Sequence, residues 1–242
     1  MTNQKTYRIF IFLFWINALI HVFSIILDLN QLILITKPLI MPILAGMFYF
    51  KTRDIEKQVP VSYIYLAMLF SFFGDVLLMF MDQGEIYFIT GLTAFLFAQI
   101  LYIITYRLYR NKGSNVAGWG IRMIYSFIVI AYTIILWISL FPHLGEMLLP
   151  VTLYTLTIFG MVIMAIFRQN RTSTLSFYLV LSGAVIFLLS DSIIAINKFM
   201  VSVIYERLLV ISTYVIAQFL ITTGLAEHVN LRQNQAEKNP VK

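Results

Sequence analysis

Two aspartates lie inside long apolar runs, in frames that echo each other: Ser71-Phe72-Phe73-Gly74-Asp75-Val76-Leu77-Leu78 and Leu188-Leu189-Ser190-Asp191-Ser192-Ile193-Ile194-Ala195. A charge in the middle of a lipid-spanning helix costs on the order of 2.5–3.5 kcal/mol even on insertion scales. Two such residues in matching frames mark a candidate site. The chemistry open to them is proton transfer, one carboxylic acid donating and one carboxylate accepting. Lys37 is a third ionisable group set in an apolar run. One ammonium for two carboxylates leaves one anion over, and unequal access to Lys37 divides the pair into an acid and a base. Lys37 is therefore expected within ion-pair reach of at least one aspartate.

The elements that position these residues follow from composition. Of the 242 residues, 60% are hydrophobic and 12% charged, with a mean hydropathy of +0.87. Crossing the hydrocarbon core takes roughly 20 apolar residues per helix. Eight runs qualify: Tyr7–Leu27, Leu32–Phe50, Val61–Met81, Ile86–Tyr109, Trp119–Phe141, Met147–Phe167, Leu175–Lys198 and Ile204–Glu227. They are apolar all round and too long for barrel strands, which predicts an all-α bundle of eight transmembrane helices. Residues 1–231 form one membrane domain, and 232–242 a polar tail whose composition implies disorder. The first run is too long for a signal segment and reads as a retained span.

Lys5, Arg8, Lys51, Arg53, Lys57, Arg107, Arg110, Lys112, Arg122, Arg168, Arg171, Arg232, Lys238 and Lys242 flank one side of the bundle. The other side has Lys198 and Arg207 beside Asp28, Asp82, Glu85 and Glu146. The positive-inside rule puts both termini in the cytoplasm. The expected location is a bacterial plasma membrane. These anchors account for the net charge of +6, and no nucleic-acid partner is indicated. With no cysteine, disulfides and thiolate metal sites are excluded.

The two aspartate frames stand 116 residues apart, and Ala98-Gln99 and Ala217-Gln218 stand 119 apart. Together they suggest two parallel four-helix repeats, an arrangement that often sets a site at the repeat interface. At 1.5 Å per residue, Lys37, Asp75, Tyr154 and Asp191 share one layer roughly 8–11 Å below the outer interface. Gly74, Gly183, Ala184 and Ala195 would let the helices approach. Gln99 and Gln218 could touch substrate or join helices. His21, four residues after Asn17, reads as a hydrogen-bonded core residue, His143 and His228 as solvated. Tyr63, Tyr65, Tyr106 and Tyr109 read as an aromatic belt. No catalytic triad order, zinc-protease, Walker or dinucleotide motif is present.

The chain resembles the YhhN family, also called the lysoplasmalogenase family. The likeness rests on Thr36-Lys37-Pro38-Leu39-x-Met41-Pro42, Ser71-x-x-Gly74-Asp75-x-x-Leu78 and Leu149-Pro150-Val151-x-x-Tyr154. It continues in Phe187-x-x-Ser190-Asp191-x-x-Ile194-Ala195-x-Asn197-Lys198-Phe199 and Tyr214-x-x-Ala217-Gln218. It departs at Gln99, where many relatives place a histidine. The resemblance implies eight helices and hydrolysis of the vinyl ether bond of a lysoplasmalogen, releasing a fatty aldehyde and a glycerophospho-base. It implies Asp75 and Asp191 as catalytic groups. Lys37, Tyr154, Gln99, Ser190, Asn197, Tyr214 and Gln218 would hold a lysolipid entering from the bilayer, among membrane lipids. No metal or organic cofactor is required for that reaction. The residues alone also allow a proton-coupled secondary transporter or a lipid-binding membrane protein, since paired intramembrane carboxylates suit a proton relay.

Overall fold

The computed structural model describes residues 2–53, 61–110 and 118–238; Lys57, Lys112 and Lys242 lie outside them. The described residues form eight α-helices and no strand. They are α1 (Thr2–Ile26), α2 (Asn30–Thr52), α3 (Ser62–Leu78), α4 (Glu85–Leu108), α5 (Trp119–Leu140), α6 (Leu148–Ile166), α7 (Thr174–Phe199) and α8 (Glu206–Lys238). Seven are long and apolar enough to cross a membrane. The exception is α3, with 17 residues, about 26 Å at the helical rise and at the lower limit for a span. Its predicted last turn is instead a loop entering the 3₁₀ turn Met81–Gln83. The tail departs from expectation in the other direction, since α8 runs through Lys238. Gln, Ala, Glu and Lys are good helix formers, and a helix already nucleated propagates through them readily.

The packing repeats between halves. α3 lies along α4 as α7 lies along α8, and α4 packs against α6 as α8 packs against α2. Small residues bring these pairs together. A Cβ on Gly183 would lie 2.8 Å from the Ala217 carbonyl oxygen, and one on Gly224 would lie 3.0 Å from the Val180 backbone nitrogen. The α7–α8 contact thus depends on bare backbone, because lipid supplies no hydrophobic drive and association rests on close van der Waals packing.

Several residues expected at the water or headgroup boundary are buried. Arg168 is fully buried and ties three helices at the face that carries the chain termini. Its Nε donates to the Tyr109 carbonyl (3.3 Å) and its Nη2 to Ser176 Oγ (2.9 Å), while Ser176 Oγ donates to the Gly224 carbonyl (2.6 Å). A cation beside the closing carbonyls of α4 also complements that helix's dipole. Burial pulls the Arg168 guanidinium down to about 10, so it stays charged at neutral pH. Arg122, Tyr106, Tyr109 and His228 are buried too, and His228 Nδ1 shares a 2.6 Å hydrogen bond with the Thr172 hydroxyl. In sequence these residues look like belt and anchors because they stand near span ends. The helices cross so that those ends meet protein rather than headgroups.

Gly183→Ala should lower the thermal midpoint of the detergent-solubilised protein, by about 1–3 kcal/mol of overpacking. Gly120→Ala, where a Cβ meets nothing within 4 Å, should leave that midpoint unchanged or slightly raised. Equal midpoints for both variants would show that the α7–α8 contact does not depend on the glycine.

Candidate active site

Asp75 on α3 and Asp191 on α7 line one cavity of about 340 Å³, together with Lys37, His21, Ser190 and Tyr214. Asp75 is 3% exposed, in the last turn of α3. Each carboxylate receives a tyrosine hydroxyl. Tyr214 of α8 donates to Asp75 Oδ2 at 2.7 Å, and Tyr154 of α6 donates to Asp191 Oδ2. These bonds answer the energetic question raised by two acidic groups at depth, because a buried carboxyl is tolerated only where donors satisfy it. Ser190 anchors the Asp191 turn by donating to the Val210 carbonyl of α8 at 3.1 Å.

Gly74 shows how sequence builds this wall. The ring of Phe95 fills the space above it, 2.5 Å from where a Cβ would stand. Phe95 then meets Tyr214 edge-on at 6.0 Å, and Phe187 meets Tyr214 at 5.7 Å. Edge-to-face contacts of this kind hold the phenol's direction, so glycine, ring and tyrosine together aim one hydroxyl at Asp75.

Lys37 enters from α2, one residue before Pro38. Proline has no N–H, so the Leu34 carbonyl lacks its usual helical donor, and Leu34 and Lys37 both line the cavity. Lys37 interacts electrostatically with Asp75. Among the described residues, however, no ion pair joins it to either aspartate, and the expected contact is not made. Lys37 and both aspartates line the same cavity. Arg207 and Asp82, both well exposed, form a 3.7 Å ion pair and line the cavity with Glu206, Gln83 and Asn30. These belong to the connections or helix ends opposite the chain termini, and they define a charged rim of both signs.

The other sequence candidates divide. Gln218 and Gln99 are fully buried and lie behind the cavity wall. Gln218 Oε1 accepts from Tyr102 (3.0 Å) and its Nε2 donates to Ser71 Oγ (3.5 Å), while Gln99 Oε1 accepts from Thr157 (2.8 Å). Both serve to join helices. Asn197 is remote from the aspartates: its Oδ1 accepts from the Val203 backbone (2.9 Å) and closes the turn between α7 and α8. Its place among the substrate-binding residues rests on the family resemblance alone, since it belongs to the motif that carries Asp191. His21 is the hydrogen-bonded core residue expected from the sequence, bonded to Thr36, but sequence reasoning missed that it lines the cavity, and it missed the opposite charges Glu206 and Arg207 there. Their signals were faint: a histidine at the depth of Lys37, and adjacent charges in a connection otherwise poor in them.

A second, apolar space begins where the first ends. Leu78, Phe95, Asp191 and Ile194 line both. The second continues as a narrow crevice between α4, α5, α6 and α7, walled by Phe88, Leu92, Leu136, Leu140, Ala195 and Phe199. Asp191 thus stands at the junction of a polar cavity and an apolar one. Among the described residues no three His, Cys, Asp or Glu side chains gather as a set of metal ligands.

The fold and site define an integral membrane protein whose helices enclose two tyrosine-bonded carboxylates in one chamber. The chain belongs to the YhhN family, whose profile it matches over residues 32–225. It is similar to the lysoplasmalogenase TMEM86A of Homo sapiens, 30% identical over 168 residues, and to that of Bos taurus, 29% identical over 168 residues. Each match covers 68% of this chain and 65% of the relative, so the chain spans less than two thirds of their length. No solved structure matches it.

Tyr214→Phe and Tyr154→Phe should each strip one carboxylate of its donor and cost about 1–3 kcal/mol of stability, read as a lower unfolding midpoint in detergent. Tyr178→Phe, on an exposed side chain, should change nothing. A tyrosine variant as stable as wild type would mean that its carboxylate does not depend on that hydroxyl.

Proposed function

We propose that the chain is a membrane-embedded hydrolase acting on the vinyl ether bond of a lysoplasmalogen or a related ether lysolipid. The single observation that carries this reading is Asp191 at the meeting of the polar cavity and the apolar crevice. A lysolipid has the same division, with a charged headgroup, a reacting ether bond just beneath it, and one alkyl chain. Family membership and the activity for which the relatives are named support the same substrate class. In the orientation expected from the positive-inside rule, with both termini in the cytoplasm of a bacterial cell, the rim opens toward the outer leaflet.

The alkyl chain occupies the crevice, and the vinyl ether lies between the two aspartates. Asp191, nearest the chain, protonates the β-carbon, and the resulting oxocarbenium ion is stabilised by the Asp75 carboxylate across the cavity. Water, deprotonated by Asp75, adds to the cationic carbon and gives a hemiacetal. The hemiacetal collapses as the C–O bond to glycerol breaks, Asp75 returning its proton to the departing glycerol oxygen while the hemiacetal hydroxyl gives up its own, and releases the fatty aldehyde and the glycerophospho-base. One water is consumed and one proton is returned to Asp191. The division of labour parallels paired carboxylates in glycoside hydrolysis. Lys37 with Arg207 faces the headgroup phosphate. Tyr154 and Tyr214 hold the two carboxyl groups in place.

Asp75→Asn and Asp191→Asn should each reduce aldehyde release from a lysoplasmalogen by on the order of 10²–10⁴-fold, with the folded yield unchanged. The double variant should be little worse than either single one, because groups acting as a unit are non-additive. Full activity in either asparagine variant would refute the two-carboxylate mechanism. Wild-type protein that releases no aldehyde would remove the hydrolase reading and favour proton-coupled transport, to be measured as flux under a pH gradient. Ala195→Phe, which fills the crevice, should lower turnover of long-chain substrates roughly tenfold or more while sparing short-chain ones. Equal loss for both lengths would count against the crevice as the chain's berth.

A further inference from the structure

His21 is a buried cavity residue to which the chemistry above gives no part. It lies on α1, before residue 32 where the family match begins, and its ring is 1% exposed yet lines the cavity beside Lys37 and Asp75. Its orientation is tightly set. His21 Nδ1 stands 2.7 Å from Thr36 Oγ1, and Thr36 Oγ1 stands 2.6 Å from the Leu32 carbonyl oxygen. A threonine hydroxyl has one hydrogen, and the carbonyl can only accept, so that hydrogen goes to Leu32. A lone pair of Thr36 therefore faces His21, and Nδ1 must carry the hydrogen that it donates there. In the neutral imidazole this leaves Nε2 as a bare acceptor. Asn17, one turn earlier, donates its Nδ2 to the Thr36 carbonyl at 2.9 Å. Two bonds from α1 to one residue of α2 hold the ring in place.

We infer that His21 Nε2 accepts a hydrogen bond from the free glycerol hydroxyl of a lysolipid and so selects lipids with one chain over lipids with two. The inference rests on the reading of the substrate as an ether lysolipid. That hydroxyl sits on the carbon next to the one bearing the ether oxygen. With the ether between Asp75 and Asp191, the hydroxyl falls within the same cavity, on the way to Lys37 and the rim. A lipid acylated at this position has no hydrogen to donate there and adds bulk against a packed wall. His21 is a specificity residue in this account and takes no part in proton transfer to the ether.

The test compares two uncleavable ligands, a saturated 1-O-alkyl lysophospholipid and its 2-deoxy analogue, which lacks the hydroxyl and adds no bulk. Affinities are read from ligand-dependent thermal stabilisation of the full chain in detergent. Wild type should prefer the hydroxyl-bearing ligand about tenfold, the scale of one buried hydrogen bond. His21→Asn keeps a donor near Thr36 but has nothing at the Nε2 position, and it should bind both ligands alike. His21→Gln places an amide near the Nε2 position and should recover part of the preference. The inference is overturned if wild type binds both ligands equally. It also fails if His21→Asn keeps the preference while His21→Gln loses it, the pattern of a histidine that only braces Thr36. Should His21→Asn fail to fold, the wild-type comparison and His21→Gln still decide. Hydroxyl preference without aldehyde release from a lysoplasmalogen would keep this site and remove the hydrolase reading. Aldehyde release without hydroxyl preference would do the reverse.

Discussion

The structure depends on keeping two acidic side chains inside a bundle whose outer surface meets lipid. Neither carboxyl can be left bare, because an unsatisfied polar group away from water costs more than most single contacts return. Tyr214 and Tyr154 meet that need from two other helices. Once α3 must face α8 and α6 must face α7 at those points, much of the remaining packing follows. Gly74 makes room for Phe95, and Phe95 with Phe187 fixes Tyr214. Gly183 lets α7 lie directly on α8, and Ser190 closes that contact one residue from Asp191.

The two halves of the chain pack their helices alike, and the site draws on their differences. Asp75 and Asp191 occupy matching frames, yet the cation lies on the Asp75 side and the apolar crevice adjoins Asp191. Two copies of one carboxylate thereby acquire unequal surroundings, the condition under which paired acids take separate roles. The glutamines of the repeat stay behind the wall as connectors.

At the opposite end from the rim, Arg168 does a different job with the same physics. A buried guanidinium that bonds to carbonyls and a hydroxyl from neighbouring helices closes the bundle where its termini lie. The polar residues of this protein therefore fall into two sets. One opens onto a cavity, and the other is consumed in holding helices together. Side-chain type does not separate them, since histidine, glutamine, tyrosine and arginine occur in both.

What the amino-acid sequence determined by itself was whatever depends on local composition and spacing. Apolar length defined the helices, and Asp75 with Asp191 stood out because charge is costly in such runs. Helical rise set Lys37, Tyr154 and both aspartates at one depth. The short quoted motifs carried the family likeness that the match over residues 32–225 bears out. Tertiary structure decided everything that depends on which faces meet. It gave Tyr214 to Asp75, set Lys37 in the cavity wall without an ion pair to either aspartate, turned Asn197 to a loop, and buried Tyr106 and His228 at span ends. It also brought His21 from the first helix to the chamber. One-dimensional hydropathy fixes a residue's depth but not its bearing around the helix axis. In helices apolar on every side, only close packing against neighbours, through glycine contacts and buried hydrogen bonds, selects that rotation.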